Sequence, residues 1–169
     1  MANIKISDLT AKATELQPLD KIEVSEWNGA TFDTKSITGS GFVLHTKVSL
    51  AAVQITNAGT VPVTLIAAAG AGYAIEVVSA MYNFKYGATA FDSSSSTFEL
   101  ITDTATTEQF RSAGILNGTS NVFRKFDQIS STTTQIVDNK ALNFVLTGTD
   151  ATVGDSTMDI YINYRIVTI

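Results

Sequence analysis

Chemistry is sparsely provided for in this chain. His45 is its only histidine and there is no cysteine. A Ser-His-Asp relay would have to run through His45, which lies in a strand-like stretch with no nucleophile elbow nearby. It reads as a surface or half-buried strand residue. A multi-histidine metal site is impossible, and disulfides, thiolate nucleophiles and cysteine-ligated metals fall away together. Asp92 followed by four serines does not give the alternating oxygen ligands of a calcium loop. No cofactor is expected. Asp20, Glu23, Glu26, Glu76 and Glu99 offer carboxylates that folding could pair at about 5 Å for glycosidase work, but solvated strand faces account for them. Gly70-Ala71-Gly72 begins like a dinucleotide fingerprint, yet Ile75 holds the third glycine position and a strand follows, so it reads as a turn. Asn117-Gly118-Thr119 fits a glycosylation acceptor and reads more simply as a turn. The chain is expected not to be an enzyme.

Aromatics are the other candidates. Tyr82, Phe84 and Tyr86 alternate along one strand face, so they fill a core or a subunit interface. The competing reading is a glycan-binding cluster among Tyr73, Tyr82 and Tyr86, which requires those rings to face solvent.

The elements that must carry these residues are β-type. Lys21 to Ile37 reads as a hairpin around Asn28-Gly29, the dipeptide suited to a type I′ turn, with Trp27 packing across it. Gly39-Ser40-Gly41 is the clearest hinge, which divides the chain into residues 1–41 and 42–169. Ser49 is expected to cap a helical turn over Leu50 to Ile55, stopped by Asn57-Ala58-Gly59. Strands follow at Val61 to Ala67, where Pro62 suggests an edge, and at Ala74 to Tyr86, Thr97 to Thr102, Val122 to Ile129, Thr133 to Val137 and Ala141 to Thr147. Asp103 through Gln109 reads as polar loop. Met158 to Ile169 alternates best, with Met158, Ile160, Ile162, Tyr164 and Ile166 on one face. Short strands with little helical periodicity predict an all-β antiparallel β-sandwich or jelly roll.

Composition restricts the partners. With 169 residues, 11 basic and 16 acidic groups and a net charge of -5, the chain has no basic footprint for nucleic acid. Gly70, Gly72, Glu76 and several polar residues interrupt Val61 to Ala80, so no membrane span is expected there, and Met1 to Leu19 has no continuous apolar run of the kind a signal peptide needs. Charged residues are 16%, while Ser and Thr supply roughly a quarter of the chain, a hydroxyl-rich composition.

The first 41 residues are built differently. Ile4, Ile6, Leu9, Leu16 and Leu19 stand singly among polar residues, a pattern suited to docking into grooves on something larger. Ile6-Ser7-Asp8-Leu9, then Asp20-Lys21-Ile22-Glu23-Val24, then Asn28-Gly29 resemble the N-terminal anchoring segments of tailed-bacteriophage fibre and spike proteins. Leu65 to Ser79, with its small-residue turn between two strands, is similar to a phrase of head-fibre and capsid-decoration proteins of tailed phages, including the crAss-like group. Ala69 departs from that phrase, where proline is expected. The resemblance covers the N-terminal segment and roughly residues 47–100. It implies a non-enzymatic, homotrimeric virion protein, assembled in the host cytoplasm, that grips the capsid or another virion protein through Ile4, Ile6, Leu9, Leu16 and Leu19. The alternative it implies is the carbohydrate- or receptor-binding tip of a phage fibre, with a host surface glycan as partner.

Overall fold

The computed structural model describes residues 21–27, 32–38, 42–93, 97–102, 108–113, 116–129, 136–148 and 150–169. The chain divides into two compact units, Met1–Gly39 and Ser40–Ile169.

In the first unit, β1 (Lys21–Trp27) and β2 (Phe32–Thr38) form an antiparallel hairpin. Its register runs from Lys21↔Thr38 to Trp27↔Phe32. The hairpin expected over Lys21 to Ile37 is thus present, and the turn expected on Asn28-Gly29 falls within its connection. Residues 28–31 themselves lie outside the described residues.

The second unit is an antiparallel β-sandwich. One sheet has the order β3-β11-β5-β8, formed by β3 (Leu44–Leu50), β11 (Thr157–Thr168), β5 (Tyr73–Lys85) and β8 (Val122–Lys125). The other has the order β4-β10-β6-β7-β9, formed by β4 (Val63–Ile66), β10 (Leu142–Thr147), β6 (Thr97–Thr102), β7 (Glu108–Ala113) and β9 (Asp127–Gln128). The pairs β3·β11, β4·β10, β5·β8 and β6·β7 are nested one inside the next along the chain. β4 is an edge strand, as Pro62 suggested, because an edge tolerates the missing N–H.

Period-two alternation builds the core. On β11, Met158, Ile160, Ile162, Tyr164 and Ile166 are all buried. They face inward with Phe98 and Leu100 of β6 and Leu142, Phe144 and Leu146 of β10, within one apolar cluster. Tyr82 of β5 meets Phe98 edge-on across the two sheets, with ring centroids 5.2 Å apart, and Phe98 in turn packs on Phe144 at 5.6 Å. Such edge-to-face contacts add to the burial of large rings.

β5 contains an irregularity that its sequence disguises. Ile75 and Val77 alternate in one phase, and Ala80, Tyr82 and Phe84 in the other, which reads as bulk on both faces. The ladder instead slips by one residue: Asn163 stands opposite Ser79 and Tyr164 opposite Val77. Val78 is the extra residue, 45% exposed. A bulge of this kind resets the phase, so both apolar sets face the same core.

Three further departures from expectation have physical causes. The helical turn α1 (Ala52–Thr56) follows Ala51 rather than Ser49; Gln54 Oε1 accepts the Ala51 N–H at 2.9 Å. Val122 to Ile129 is two strands, because the chain crosses from one sheet to the other at Phe126, which is buried against Tyr82 with ring centroids 5.2 Å apart and donates its N–H to Ala80 O. β7 falls in a stretch read partly as loop. Its inward residues are Phe110 and Ser112, and a single apolar residue gives no alternation to detect. Residues 133–135 lie outside the described residues, and Ile136 and Val137 are not strand.

Side chains fix the loops at both ends. Asp155 accepts the N–H groups of Thr89 and Ala88, which hold its carboxyl below the usual carboxylate range. Asp92 accepts from the N–H and hydroxyl of Thr152. Elsewhere, Gly70 and Gly72 adopt positive φ, as a turn requires, and their N–H groups donate to Asn139 and Asp138.

Candidate functional site

Charged, polar and aromatic side chains gather on the outer face of the β3-β11-β5-β8 sheet. Because β11 buries its even-numbered residues, Asp159, Tyr161, Asn163 and Arg165 turn outward. The register places Ser49, Lys47 and His45 of β3 beside Asp159, Tyr161 and Asn163. On the other flank stand Asn83, Met81 and Ser79 of β5. β8 continues two of these rows, with Phe123 opposite Asn83 and Lys125 opposite Met81.

Asp159 is the electrostatic centre of this face. Its side chain is only 6% exposed, yet it is ionised, because Lys85 Nζ lies 2.6 Å and Lys47 Nζ 2.9 Å from the same oxygen, Oδ2. Ser49 donates to the other oxygen at 2.7 Å. The Lys85 ammonium, then the Ser49 hydroxyl, then Lys47 hold its carboxyl far below the ordinary carboxylate range, outweighing burial. The same bond to Asp159 raises Lys47 above its usual value.

Beside this cluster is an aromatic pair. Phe123 is 60% exposed, and its ring centroid lies 6.2 Å from that of half-buried Tyr161. Lys47 Nζ sits 5.7 Å from the Tyr161 ring centroid, within range of a cation–π contact. A large exposed aromatic beside a second ring is the informative exception on a surface, since core packing does not require it.

His45 joins the edge of the same face, where its Nδ1 is 3.1 Å from Asn163 Oδ1. No acid or hydroxyl nucleophile among the described residues completes a relay with it. Glu76 pairs with Arg165 at 2.8 Å and Glu99 with Arg111 at 3.2 Å. Alternation sets Glu76 and Glu99 on opposite outer faces of the sandwich, so they cannot form the close pair that glycosidase chemistry needs. Asp20 lies outside the described residues, as do the expected anchors Ile4, Ile6, Leu9, Leu16 and Leu19. Among the described residues, no group of three or more His, Asp or Glu side chains could hold a metal ion.

The tyrosines singled out from the sequence do not converge. Tyr82 is fully buried, which removes it from any surface cluster. Its hydroxyl lies 3.4 Å from Ser112 Oγ, and burial pushes its phenol pKa up. Tyr73 begins β5 and Tyr86 follows its end, roughly 40 Å apart at the rise of a strand. Both are partly buried against the core, and Tyr86 donates its hydroxyl to Ala88 O. The pairing of exposed Phe123 with half-buried Tyr161 is not legible in the sequence, because exposure on a sheet depends on register, which composition does not encode.

Comparison with known proteins finds no matching family model, no matching curated protein and no matching solved structure.

Proposed function

We propose that this chain is a structural, non-enzymatic component of a tailed-phage virion, of the head-fibre or capsid-decoration type. Residues 1–41 attach it to the capsid or another virion protein, and residues 42–169 form the projecting domain. The observation that supports this reading is the nested pairing β3·β11, β4·β10, β5·β8 and β6·β7. We read this order as that of a jelly roll, an eight-stranded double sheet that recurs in viral capsid and lectin domains, with the two-residue β9 as an addition to it. The resemblance of residues 6–9, 20–24 and 28–29 to phage anchoring segments agrees with it.

Attachment follows from the chemistry of the anchors. Ile4, Ile6, Leu9, Leu16 and Leu19 each supply little affinity alone, but three chains in a homotrimer convert later contacts into intramolecular ones. Mass spectrometry and labelling of purified virions test the reading. The chain is expected at fixed copy number on the particle, and a chain lacking residues 1–41 is expected to fold but fail to incorporate. Particles that never contain it would refute the proposal.

A second reading, the carbohydrate- or receptor-binding tip of a fibre, is favoured by one observation: the exposed Phe123 beside Tyr161.

A further inference from the structure

We propose that the outer face of the β3-β11-β5-β8 sheet binds an acidic carbohydrate, with sugar rings lying on Phe123 and Tyr161 and carboxylates drawn to Lys47, Lys85 and Lys125. This deepens the receptor-binding reading and rests on it; virion incorporation is a separate matter.

Charge selects the class of ligand. Among the described residues of this face Glu76 is taken by Arg165, which leaves Lys47, Lys85 and Lys125 against the carboxylate of Asp159. The patch is therefore positive on a chain whose net charge is -5. Lys47 and Lys85 reach the same oxygen of Asp159, so their ammonium groups stand close together, fixed from below and half-exposed above. A ligand carboxylate that met both would complete their hydrogen bonding without displacing Asp159.

Shape selects the rest. Phe123 and Tyr161 are inclined at 55° with centroids 6.2 Å apart, two adjoining apolar plates on the strands that flank β5. A pyranose offers a C–H face that packs on such plates while its hydroxyls point sideways, and burying that face removes apolar surface from water. The neighbouring groups that could meet those hydroxyls are Asn83, Ser49 and Asn163. Lys47 borders one ring, and Lys125 lies two residues from Phe123 on β8, so charges repeating along an acidic polysaccharide find cations on both flanks. A nucleic acid shares stacking and charge but brings few hydroxyls to Asn83, Ser49 and Asn163, and a short oligonucleotide is the competitor in the test.

Calorimetric titration of the full chain tests this with hexamers of galacturonate, hyaluronan and sialic acid, alongside neutral maltohexaose and a six-residue thymidine oligonucleotide. Binding to at least one acidic hexamer, weakening as salt rises, is expected. Phe123→Ala should weaken it about three- to tenfold. Lys47→Met should weaken it about threefold at low salt, with the difference fading at high salt; Lys85 remains to pair Asp159, so the fold survives. No binding to any acidic hexamer overturns the inference, and so does equal binding of maltohexaose or preference for the oligonucleotide. Retention on bacterial cells without acidic-hexamer binding would likewise overturn it, while leaving the receptor-binding reading intact.

Discussion

Lys85 donates to Asp159 Oδ2 at 2.6 Å from the strand on one side of β11, and Lys47 reaches that oxygen from the other side. The arrangement makes stability depend on acid. The carboxyl of Asp159 titrates far lower in the folded chain than the ordinary value near 3.9 expected when unfolded. Above about pH 4 its contribution is fully present. As pH falls through that value the unfolded chain takes up the proton first, and the contribution is progressively lost. Urea midpoints at pH 7 and pH 3 check this. Asp159→Asn should lower the midpoint at pH 7, and the gap between the two proteins should narrow at pH 3.

The β5 bulge makes an opposite pair of neighbours. Val77 is 4% exposed and Val78 is 45% exposed. Val78→Lys should leave the thermal midpoint almost unchanged, within about 0.5 kcal/mol. Val77→Lys should unfold the domain, because it buries an unpaired ammonium. Circular dichroism melts of the two variants would reveal any error in the register, since a regular ladder through Val78 reverses their order.

These two cases show where sequence reasoning reaches and where it stops. The inward set of β11 is readable because five apolar residues recur at period two, and the same alternation turns Asp159, between Met158 and Ile160, to the outer face. Its partners were not readable. Ser49 and Lys85 are 110 and 74 residues away, and only the strand order brings them together. Phe123 illustrates the same limit: its exposure follows from standing opposite Asn83, a fact of register. β7 was partly lost because Ser112 occupies an inward position that an apolar residue would have advertised.

Gly154 is held by geometry that no other residue can copy. Its φ is +133°, and a Cβ there would lie 2.1 Å from Phe91 Cδ1. Phe91 is buried and packs near Phe84, so it has little room to retreat. Gly154→Ala should cost about 2 kcal/mol or more, from backbone strain together with overpacking. Gly70→Ala, also at positive φ but with open space around it, should cost less. Denaturant unfolding of both variants separates strain alone from strain plus collision.

Tyr82 allows the packing and polar parts of one core residue to be separated. Its ring contacts Phe98 and Phe126, each at a centroid distance of 5.2 Å, so it joins the two sheets at the point where the chain crosses between them. Its hydroxyl has a long contact, 3.4 Å, to Ser112. Removing the ring should be severe: Tyr82→Ala is expected to cost about 3–5 kcal/mol, the range for large aromatic truncations in cores. Removing only the hydroxyl should cost about 1 kcal/mol or less, because the hydrogen bond is weak and Ser112 can turn its own hydroxyl toward Ala113 O, 3.5 Å away. A Tyr82→Phe loss as large as that of Tyr82→Ala would mean that the hydroxyl, rather than the ring, joins the sheets. Equilibrium unfolding of the two variants, with Ser112→Ala combined with Tyr82→Phe to close the cycle, decides between them.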